Sequence, residues 1–348
     1  MTTGLEGIVA ASTRLSRVDG DAGTLVLVGY AVEDLAPHAT FEEVVRLFVN
    51  RDLPSNQRSI PPETLELLRA AAARRASPMD ALLMATPTLR VDRPEAVIAA
   101  FPTVVGTYWR LLHGENPVPV RQDLSHAAHY LHQLSGEVPS PQRTRALETY
   151  LNTVCDHGLN ASTFTARIIA STHSDVIAAV TGALGALKGP LHGGAPGPAL
   201  DMVFEIGTPD RAESVIRAKL DAGERLMGFG HRVYRVRDPR ADVLAEAAER
   251  LYANGADRRI YDLARSVERT ALRLLHEHKP DRHLDTNVEF YTALLLHGLG
   301  LPTDLFTPTF AVGRVLGWCA HYVEQLRDGR LIRPQSEYIG PVGLRYAA

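Results

Sequence analysis

The chain has 348 residues, of which 45% are apolar and 22% charged, a composition typical of a globular protein with one or two domains. Its formal net charge of −3 supplies no sustained positive field for nucleic-acid phosphates, so small-molecule partners are favoured and no nucleic acid is expected. The longest apolar stretches contain Thr and Gly and are too short to cross about 30 Å of hydrocarbon, so no membrane span is expected.

The two cysteines, Cys155 and Cys319, lie far apart in the sequence. Their scarcity argues for a reducing compartment, and against a disulfide framework or a thiolate metal site. The first residues lack the basic and apolar segments of a signal peptide, which predicts a cytoplasmic location.

The first predicted element is a small β-ribbon. Residues 24–30 (TLVLVGY) are rich in β-forming side chains and follow the turn-forming stretch Asp19-Gly20-Asp21-Ala22-Gly23. This pattern indicates a hairpin, and it is the one credible β candidate in the sequence.

Helix signals dominate after the ribbon. Thr40 and Glu43 form a capping box before an apolar face. Helix starts with Pro at the first position, where its missing N–H costs nothing, are predicted at Ser77-Pro78, Ser140-Pro141, Thr208-Pro209, Asp238-Pro239 and Thr307-Pro308. Gly223 and Gly255 suit helix ends. Because the apolar residues between these points recur with a helical period, we predict an all-α fold.

Three histidines lie in segments unlike an ordinary helix surface. His192 and His231 are flanked by glycines, which allow the backbone to approach a ligand and an imidazole to face a substrate carbonyl. The alternative for each is an exposed imidazole on a helix-ending turn. His157 falls on the helical face of Tyr150 and Val154, so the pattern alone favours a hydrogen-bonded core histidine.

Arginines beside apolar or rigid neighbours form a second group, namely Arg240, Arg314 and Arg333. A guanidinium fork binds a carboxylate through two parallel hydrogen bonds, so converging arginines would suit a di- or tricarboxylate. The alternative is a surface ion pair. Arg314 fits that alternative least, because it lies between Ala311 and Trp318 on the apolar side of a predicted helix.

Glu289 is ambiguous, because Thr286-x-x-Glu289 is also a capping box, and spacing alone favours the cap. The histidine groups 126/129/132 and 276/278/283 lack the spacing of zinc-binding helices, so we interpret them as solvated and predict no metal site. Glycine-rich loops with the spacing required for ATP or NAD are missing as well.

In order along the chain, these segments resemble the citrate synthase family over nearly the full length. The resemblance is carried by DHGLNASTF (156–164), LKGPLHGG (187–194), GFGHRVY (228–234) with Asp238-Pro239-Arg240, and RVLGWCAH (314–321). It implies an all-α fold and an acyltransferase that condenses acetyl-CoA with oxaloacetate and hydrolyses the product to citrate and CoA. Acetyl-CoA would be a co-substrate, with no tightly bound cofactor.

By matching positions, the resemblance implies a role for each site residue. His192 would hydrogen-bond the thioester oxygen, His231 would polarise the ketone of oxaloacetate, and Glu289 would be the catalytic carboxylate. The substrate carboxylates would be held by His157, Arg240, Arg314 and Arg333. Part of the CoA surface would be formed by Leu226, Gly228, Phe229 and Asn287.

The resemblance also implies an architecture. A large helical domain would comprise residues 1–193 and 304–348, with a smaller helical insertion at 194–303 and hinges at residues 193–197 and near Pro302. A homodimer would complete each site, with Arg333 reaching the partner's. Three departures from the family pattern stand out: Glu289 replaces the usual Asp, Ala195-Pro196-Gly197-Pro198 replaces an Asn and an acidic residue, and Leu83 replaces an arginine.

Three alternatives remain open. One is a 2-methylcitrate synthase that uses propionyl-CoA, since discriminating one methylene is worth only about 1–3 kcal/mol. The second is a binding protein without turnover, in which Glu289 serves only as a helix cap. The third is a metal-dependent hydrolase built on the histidine groups.

Overall fold

The structure, a computed structural model, describes residues 7–190, 192–193, 196–231, 233–253, 257–282 and 284–345. The three strands are β1 (Ser16–Asp19), β2 (Thr24–Leu27) and β3 (Tyr30–Ala31). The helices are α1 (Val32–Leu35), α2 (Phe41–Val49), α3 (Pro62–Ala73), α4 (Pro78–Ala85), α5 (Pro94–Leu112), α6 (His126–Ser135), α7 (Pro141–Val154), α8 (Ala161–Ser171), α9 (Val176–Leu187), α10 (Pro196–Ile206), α11 (Ala212–Asp221), α12 (Pro239–Ala253), α13 (Arg258–His278), α14 (Val288–Gly298) and α15 (Phe306–Asp328). Helices dominate, as predicted.

The predicted ribbon is present as a three-stranded antiparallel sheet in the order β1-β2-β3. Leu25 and Leu27 of β2 are fully buried and anchor the sheet on the helices. The β1–β2 turn meets the segment after α11, because the backbone N–H of Arg235 donates to the carbonyl of Gly20 at 2.8 Å. A Cβ at position 20 would lie 2.2 Å from the carbonyl oxygen of Val233, so this approach requires glycine.

Several predicted helix starts are confirmed by their caps. Thr40 and Glu43 form the reciprocal capping box of α2. The hydroxyls of Ser77 and Ser140 accept the backbone N–H of the third helical residue in α4 and α7. Gly223, with a φ of +75°, follows the end of α11 in the left-handed conformation expected of a terminating glycine.

Two predicted starts are wrong in detail. Thr208-Pro209 opens only a three-residue 3-10 turn without a side-chain cap, and α15 begins at Phe306, before Pro308. The hydroxyl of Thr307 donates instead to the carbonyl of Gly193 at 2.8 Å, a tertiary contact that sequence spacing does not report. The start of α12 at Pro239 agrees with prediction, whereas Gly255 lies outside the described residues.

The interior is built around α5 and α15, which are buried on nearly all sides. A helix that is apolar around its whole circumference belongs in a core, and α5, α7, α8 and α9 all pack against α15. Arg314 lies in this buried helix, as predicted. In the described part of the chain, no helix is both long enough and apolar enough to traverse a bilayer.

The prediction that the histidines of α6 are solvated is wrong. His126, His129 and His132 are all buried where α6 packs against α5, and Phe41 stacks on His126 with ring centroids 4.6 Å apart. Within the described residues, neither ring nitrogen of His126 has a hydrogen-bond partner. For the second group the prediction holds at His276 and His278, which are exposed, while His283 lies outside the described residues.

These buried imidazoles should make the protein sensitive to acid. Burial lowers the pKa of His126 well below its ordinary value of 6.5, and lowers the pKa of His129 to about 3. Below pH 6.5 the unfolded chain therefore binds protons that the folded chain excludes. The free energy of unfolding should fall by about 1.4 kcal/mol per pH unit for each such histidine, and it should be unaffected by them above pH 6.5.

Urea unfolding between pH 5 and 7.5 measures this slope. His129→Gln should reduce the slope below pH 6.5, because its side chain does not titrate, and its amide can replace the ring Nε2 as the partner of the Thr103 hydroxyl. His276→Gln on the exposed end of α13 is the matched control and should leave it unchanged. Equal slopes in all three proteins would contradict the prediction.

Candidate active site

Two chain segments are joined by backbone hydrogen bonds at the centre of the candidate site. The N–H of Gly230 donates to the carbonyl of Asp285 at 2.7 Å, and the N–H of Asn287 donates to the carbonyl of Gly228 at 3.0 Å. The side-chain amide of Asn287 adds a bond to the carbonyl of Gly230 at 2.7 Å. Gly228 and Gly230 have φ values of +89° and +77°, which favour glycine. This pairing places His231 close to the start of α14 and Glu289.

The hydrogen bonds of His231 fix its tautomer. Its Nδ1 accepts the backbone N–H groups of Val233 at 3.0 Å and Tyr234 at 3.1 Å, so the proton of a neutral ring lies on Nε2. Burial lowers the pKa of His231 to about 4, with the nearby Arg240 adding to the effect. Nε2 and Nη2 of Arg240 are 3.3 Å apart, and both are donors. Two converging donors offer a position for a ligand oxygen.

Arg240 is held in place by a buried carboxylate. Its Nε and Nη2 donate to the two oxygens of Asp238 at 3.0 and 2.8 Å. Burial alone would lower the pKa of Arg240, but Asp238 raises it above its ordinary value. Asp238 also accepts the backbone N–H of Val288 at 3.2 Å, which fixes the start of α12 to the start of α14.

His157 lies beside His231. Helix α7 ends at Val154, so His157 is not part of its buried face, and the core position favoured by the pattern is wrong. Its ring is only partly buried, its Nε2 lies 3.1 Å from the hydroxyl of Tyr234, and its centroid is 5.7 Å from that of His231. Burial, then Arg240 and Arg314, lower the pKa of His157 well below its ordinary value, so the ring is neutral.

His192 lies on the turn after α9. Its Nε2 lies 2.8 Å from the hydroxyl of Ser162, and that hydroxyl accepts the indole N–H of Trp318 at 3.0 Å. Its Nδ1 makes no hydrogen bond to the described residues and is the nitrogen left for a ligand. Burial lowers the pKa of His192 to about 4, with a further contribution from Arg314, so this imidazole is also neutral at physiological pH.

In the described part of the chain, Arg314 is a buried cation without a carboxylate partner. No carboxylate oxygen of the described residues lies within 4.0 Å of its guanidinium, and burial lowers the pKa of Arg314 to about 10. Its Nε donates to the carbonyl of Val154 at 2.6 Å, and its Cζ lies 4.7 Å from the ring centroid of Phe310. A buried, oriented and unpaired guanidinium is a binding site for an anion.

Glu289 does not act as the predicted helix cap. The cap of α14 is Asn287, whose side-chain oxygen accepts the backbone N–H of Glu289 at 3.0 Å, while the hydroxyl of Thr286 donates to Glu268. Among the described residues, nothing donates to the Glu289 carboxylate. Burial raises the pKa of Glu289 to about 7; Arg240 and Arg314 oppose that rise and Asp238 adds to it. A carboxylate in this range suits proton transfer near neutral pH.

These groups share one electrostatic environment. Arg240 and Arg314 each affect both His157 and Glu289, so the two cations, the histidines and the carboxylate are close enough to interact. The arrangement combines two anion-binding groups, neutral imidazoles and one carboxylate with a raised pKa. It is suited to moving a proton from a ligand while oxygens on that ligand are stabilised.

The remaining predicted residues are Arg333 and those expected to form part of the CoA surface. Arg333 is exposed on the segment after α15 and lines a cavity of about 640 Å³ between the two chain ends, whose lining includes none of the other predicted site residues. Leu226 is buried, and the ring of Phe229 packs against Phe290 with centroids 5.3 Å apart. The side chain of Asn287 is already occupied by Gly230 and the helix cap.

Sequence reasoning gave no role to three residues that contact the site: Tyr234, Ser162 and Phe310. Tyr234 contacts His157, Ser162 contacts His192, and Phe310 lies beneath Arg314 with its ring 6.2 Å from that of His192. Tyr234 and Ser162 lie inside the motifs that carry the resemblance, which is the one signal that could have identified them. Their partners are 30 or more residues away, beyond the reach of local patterns.

Comparison with known proteins shows which proteins this chain is similar to. The family model described as citrate synthase, C-terminal domain, matches residues 4–335. Citrate synthase 2 of Bacillus subtilis is 39% identical, covering 98% of this chain and 96% of its own length. A 2-methylcitrate synthase of Shewanella oneidensis is 37% identical, covering 97% and 94%.

Solved structures agree with these matches. Citrate synthase from Pyrobaculum aerophilum superimposes with a TM-score of 0.90 at 35% identity, covering 99% of this chain and 94% of that one. The Thermoplasma acidophilum enzyme in ternary complex with carboxymethyl coenzyme A and oxaloacetate gives 0.89 at 28% identity, covering 100% and 98%. The chain belongs to the citrate synthase family.

Proposed function

We propose that this enzyme condenses the acetyl group of acetyl-CoA with the ketone of oxaloacetate and then hydrolyses the citryl thioester to citrate and free CoA. The observation that carries the proposal is the placement of Glu289, with its raised pKa, beside the cations Arg240 and Arg314 and the neutral histidines. The ternary complex of the Thermoplasma acidophilum relative, with a CoA derivative and oxaloacetate, supports these substrates.

Oxaloacetate would bind at the cations. Arg314 has no carboxylate partner among the residues with described positions, and Arg240 keeps guanidinium hydrogens beyond those given to Asp238, so each can hold a substrate carboxylate. The Nε2 proton of His231 converges with Nη2 of Arg240 and would polarise the ketone oxygen. His157 would supply a further neutral contact to the dianion.

The first chemical step is removal of a proton from the acetyl methyl group by Glu289. A thioester methyl is a weak carbon acid, so the developing enolate oxygen needs a fixed donor. Nδ1 of His192 would supply it in the tautomer in which the hydroxyl of Ser162 donates to Nε2. The enol carbon then forms a bond to the ketone carbon, and the ketone oxygen takes up a proton. Water finally attacks the thioester carbonyl, and the thiol of CoA leaves with a proton.

This assignment predicts how activity depends on pH. Glu289 must be ionised to accept the methyl proton, and its pKa is raised to about 7, so kcat/KM for acetyl-CoA should rise with pH up to about 7 and then level off. The pKa values of His192 and His231, lowered to about 4, leave both rings neutral throughout. Initial rates between pH 5.5 and 9 test this, and a flat profile would contradict it.

We also propose the domain arrangement and the binding of CoA. Residues 1–193 and 304–348 would form the large domain and residues 194–303 the small one, which contributes His231, Arg240 and Glu289. The segment with Leu226, Gly228 and Phe229, together with Asn287, would face CoA. Closure between the domains would exclude water, with hinges at residues 193–197, of which Gly194 and Ala195 lie outside the described residues, and near Pro302.

A homodimer is part of the same proposal. Arg333 lies on an exposed segment, and the cavity that it lines includes none of the other predicted site residues that the structure describes, which fits a role in a second subunit's site. Leu331, Tyr338 and Ile339 of this segment are also exposed, and apolar side chains of this kind favour a covering partner. Sedimentation equilibrium would test the dimer, and a cytoplasmic location would fit the reducing conditions that its two free thiols imply.

A 2-methylcitrate synthase is the second candidate, favoured by the Shewanella oneidensis relative. Propionyl-CoA differs by one methylene, and apolar pockets discriminate such a difference only weakly. A protein that binds CoA or citrate without turnover is less well supported, because the carboxylate of Glu289 is free of the helix cap.

Release of CoA thiol from purified protein tests all three alternatives. Oxaloacetate should be supplied with acetyl-CoA or propionyl-CoA, and kcat/KM compared. We expect acetyl-CoA to give the higher value. A preference for propionyl-CoA would assign the protein as a 2-methylcitrate synthase, and no thiol release with either substrate, despite ligand binding, would overturn the enzymatic assignment.

A further inference from the structure

A buried carboxylate outside the proposed catalytic groups receives four hydrogen bonds. Glu268 lies on α13 with only 3% of its surface exposed. Its Oε1 accepts from the hydroxyl of Thr286 at 2.8 Å and from Nη1 of Arg237 at 3.0 Å. Its Oε2 accepts from the hydroxyl of Tyr291 at 2.5 Å and from Nη1 of Arg265 at 2.9 Å.

The donors connect separate parts of the chain. Arg265 belongs to the same helix as Glu268, but the other three do not. Thr286 and Tyr291 stand three residues before and two residues after Glu289, so they bracket it on either side of the helix start. Arg237 lies between His231 and Arg240. One buried carboxylate therefore contacts both segments of the candidate site.

We propose that Glu268 is a positioning residue for the condensation, because it holds the segment of Glu289 against the segment of His231 and Arg240. This inference rests on the proposed function for the roles of those groups. The backbone bonds between Gly230 and Asp285, and between Asn287 and Gly228, set the register of the two segments. Glu268 adds side-chain hydrogen bonds to both segments and so holds them together in that register. A displacement of about 1 Å in a reacting group can reduce turnover by roughly 10²-fold.

The experiment compares Glu268→Gln with a matched control. Glutamine keeps the size of the side chain but places an amide NH₂ against two of the four donors, which must then separate. Glu277→Gln makes the same change on the same helix, at an exposed position paired with Arg217 and Arg273. Near-UV circular dichroism establishes that each variant is folded at the assay temperature.

In Glu268→Gln we expect kcat to fall by about 10- to 100-fold, because the groups that act on the methyl proton and on the ketone are displaced relative to each other. The inflection of kcat/KM near pH 7 should shift by half a unit or more, because Glu289 moves relative to Arg240 and Asp238. Hydrogen exchange at the amides of Gly230 and Asn287 should become faster. None of these changes is expected in Glu277→Gln.

Each outcome has a definite meaning. If Glu268→Gln matches Glu277→Gln in kcat, pH profile and exchange, the positioning role is overturned. It is also overturned if the loss of activity equals the loss of folded protein, with an unchanged pH profile. If wild-type protein releases no thiol but amide exchange still responds only to Glu268→Gln, the role of Glu268 in holding the two segments together stands and the proposed function fails.

Discussion

Replacing Glu289 with Gln should lower kcat by roughly 10²- to 10⁴-fold, the usual contribution of a positioned general base. Gln keeps the shape of the side chain and removes the group that receives the methyl proton. The helix cap should survive, because it is made by Asn287 and the backbone of residue 289 rather than by the carboxylate. Single-turnover thiol release, together with thermal unfolding, separates lost chemistry from lost structure.

Glu289→Asp is the informative comparison. The resemblance to the family implies an Asp at this position, and Glu289 is one methylene longer. Shortening it should withdraw the carboxylate by about 1 Å or more and cost roughly tenfold or more in kcat, with a pH inflection retained because the base is retained. A Gln variant as active as wild type would remove Glu289 from the mechanism.

Local signals were sufficient for much of the fold. The capping box at Thr40 and the serine caps at Ser77 and Ser140 lie within three residues of the groups they satisfy, so the sequence contains both partners. In β2, Leu25 and Leu27 alternate with less buried residues, so the sequence pattern alone indicates which side chains face the core. These features depend on short-range hydrogen bonding and side-chain periodicity, which can be predicted without knowledge of tertiary contacts.

Prediction failed where a distant residue competed for a local partner. Thr286 and Glu289 have the spacing of a capping box, but Glu268, 18 residues earlier, takes the hydroxyl of Thr286. The histidines of α6 are polar side chains that we predicted to be solvated, yet the packing of α6 against α5 buries them. In both cases the deciding interaction is tertiary, and sequence spacing does not encode it.

In the candidate site, too, local sequence patterns were insufficient where tertiary contacts decide the role of a residue. Spacing alone left His231 and Glu289 with two interpretations each, because local patterns do not reveal the backbone pairing of residues 228–230 with residues 285–287, far along the chain. Family resemblance selected the catalytic interpretation for both. The partners Tyr234 and Ser162 received no role, since nothing in their local sequence shows which imidazole they contact.

Arg314→Lys should reduce kcat/KM for oxaloacetate by roughly 10²- to 10³-fold, the cost of losing a buried charge-assisted hydrogen bond of about 3–4 kcal/mol. Lysine keeps the charge but loses the planar fork, the donor to the carbonyl of Val154 and the stacking on Phe310. KM for acetyl-CoA should change little. Initial rates at fixed acetyl-CoA, with oxaloacetate varied, measure the effect.

The pH profile distinguishes lost geometry from lost charge. Arg314 lowers the pKa of Glu289, so the inflection near pH 7 should stay in place in Arg314→Lys and move upward in Arg314→Gln, where the cation is removed. Arg327→Lys, on the exposed end of the same helix and paired with Asp328, is the matched control. If Arg314→Lys binds oxaloacetate as wild type does, the dicarboxylate is held elsewhere, because a point charge cannot replace a bidentate guanidinium without loss of affinity.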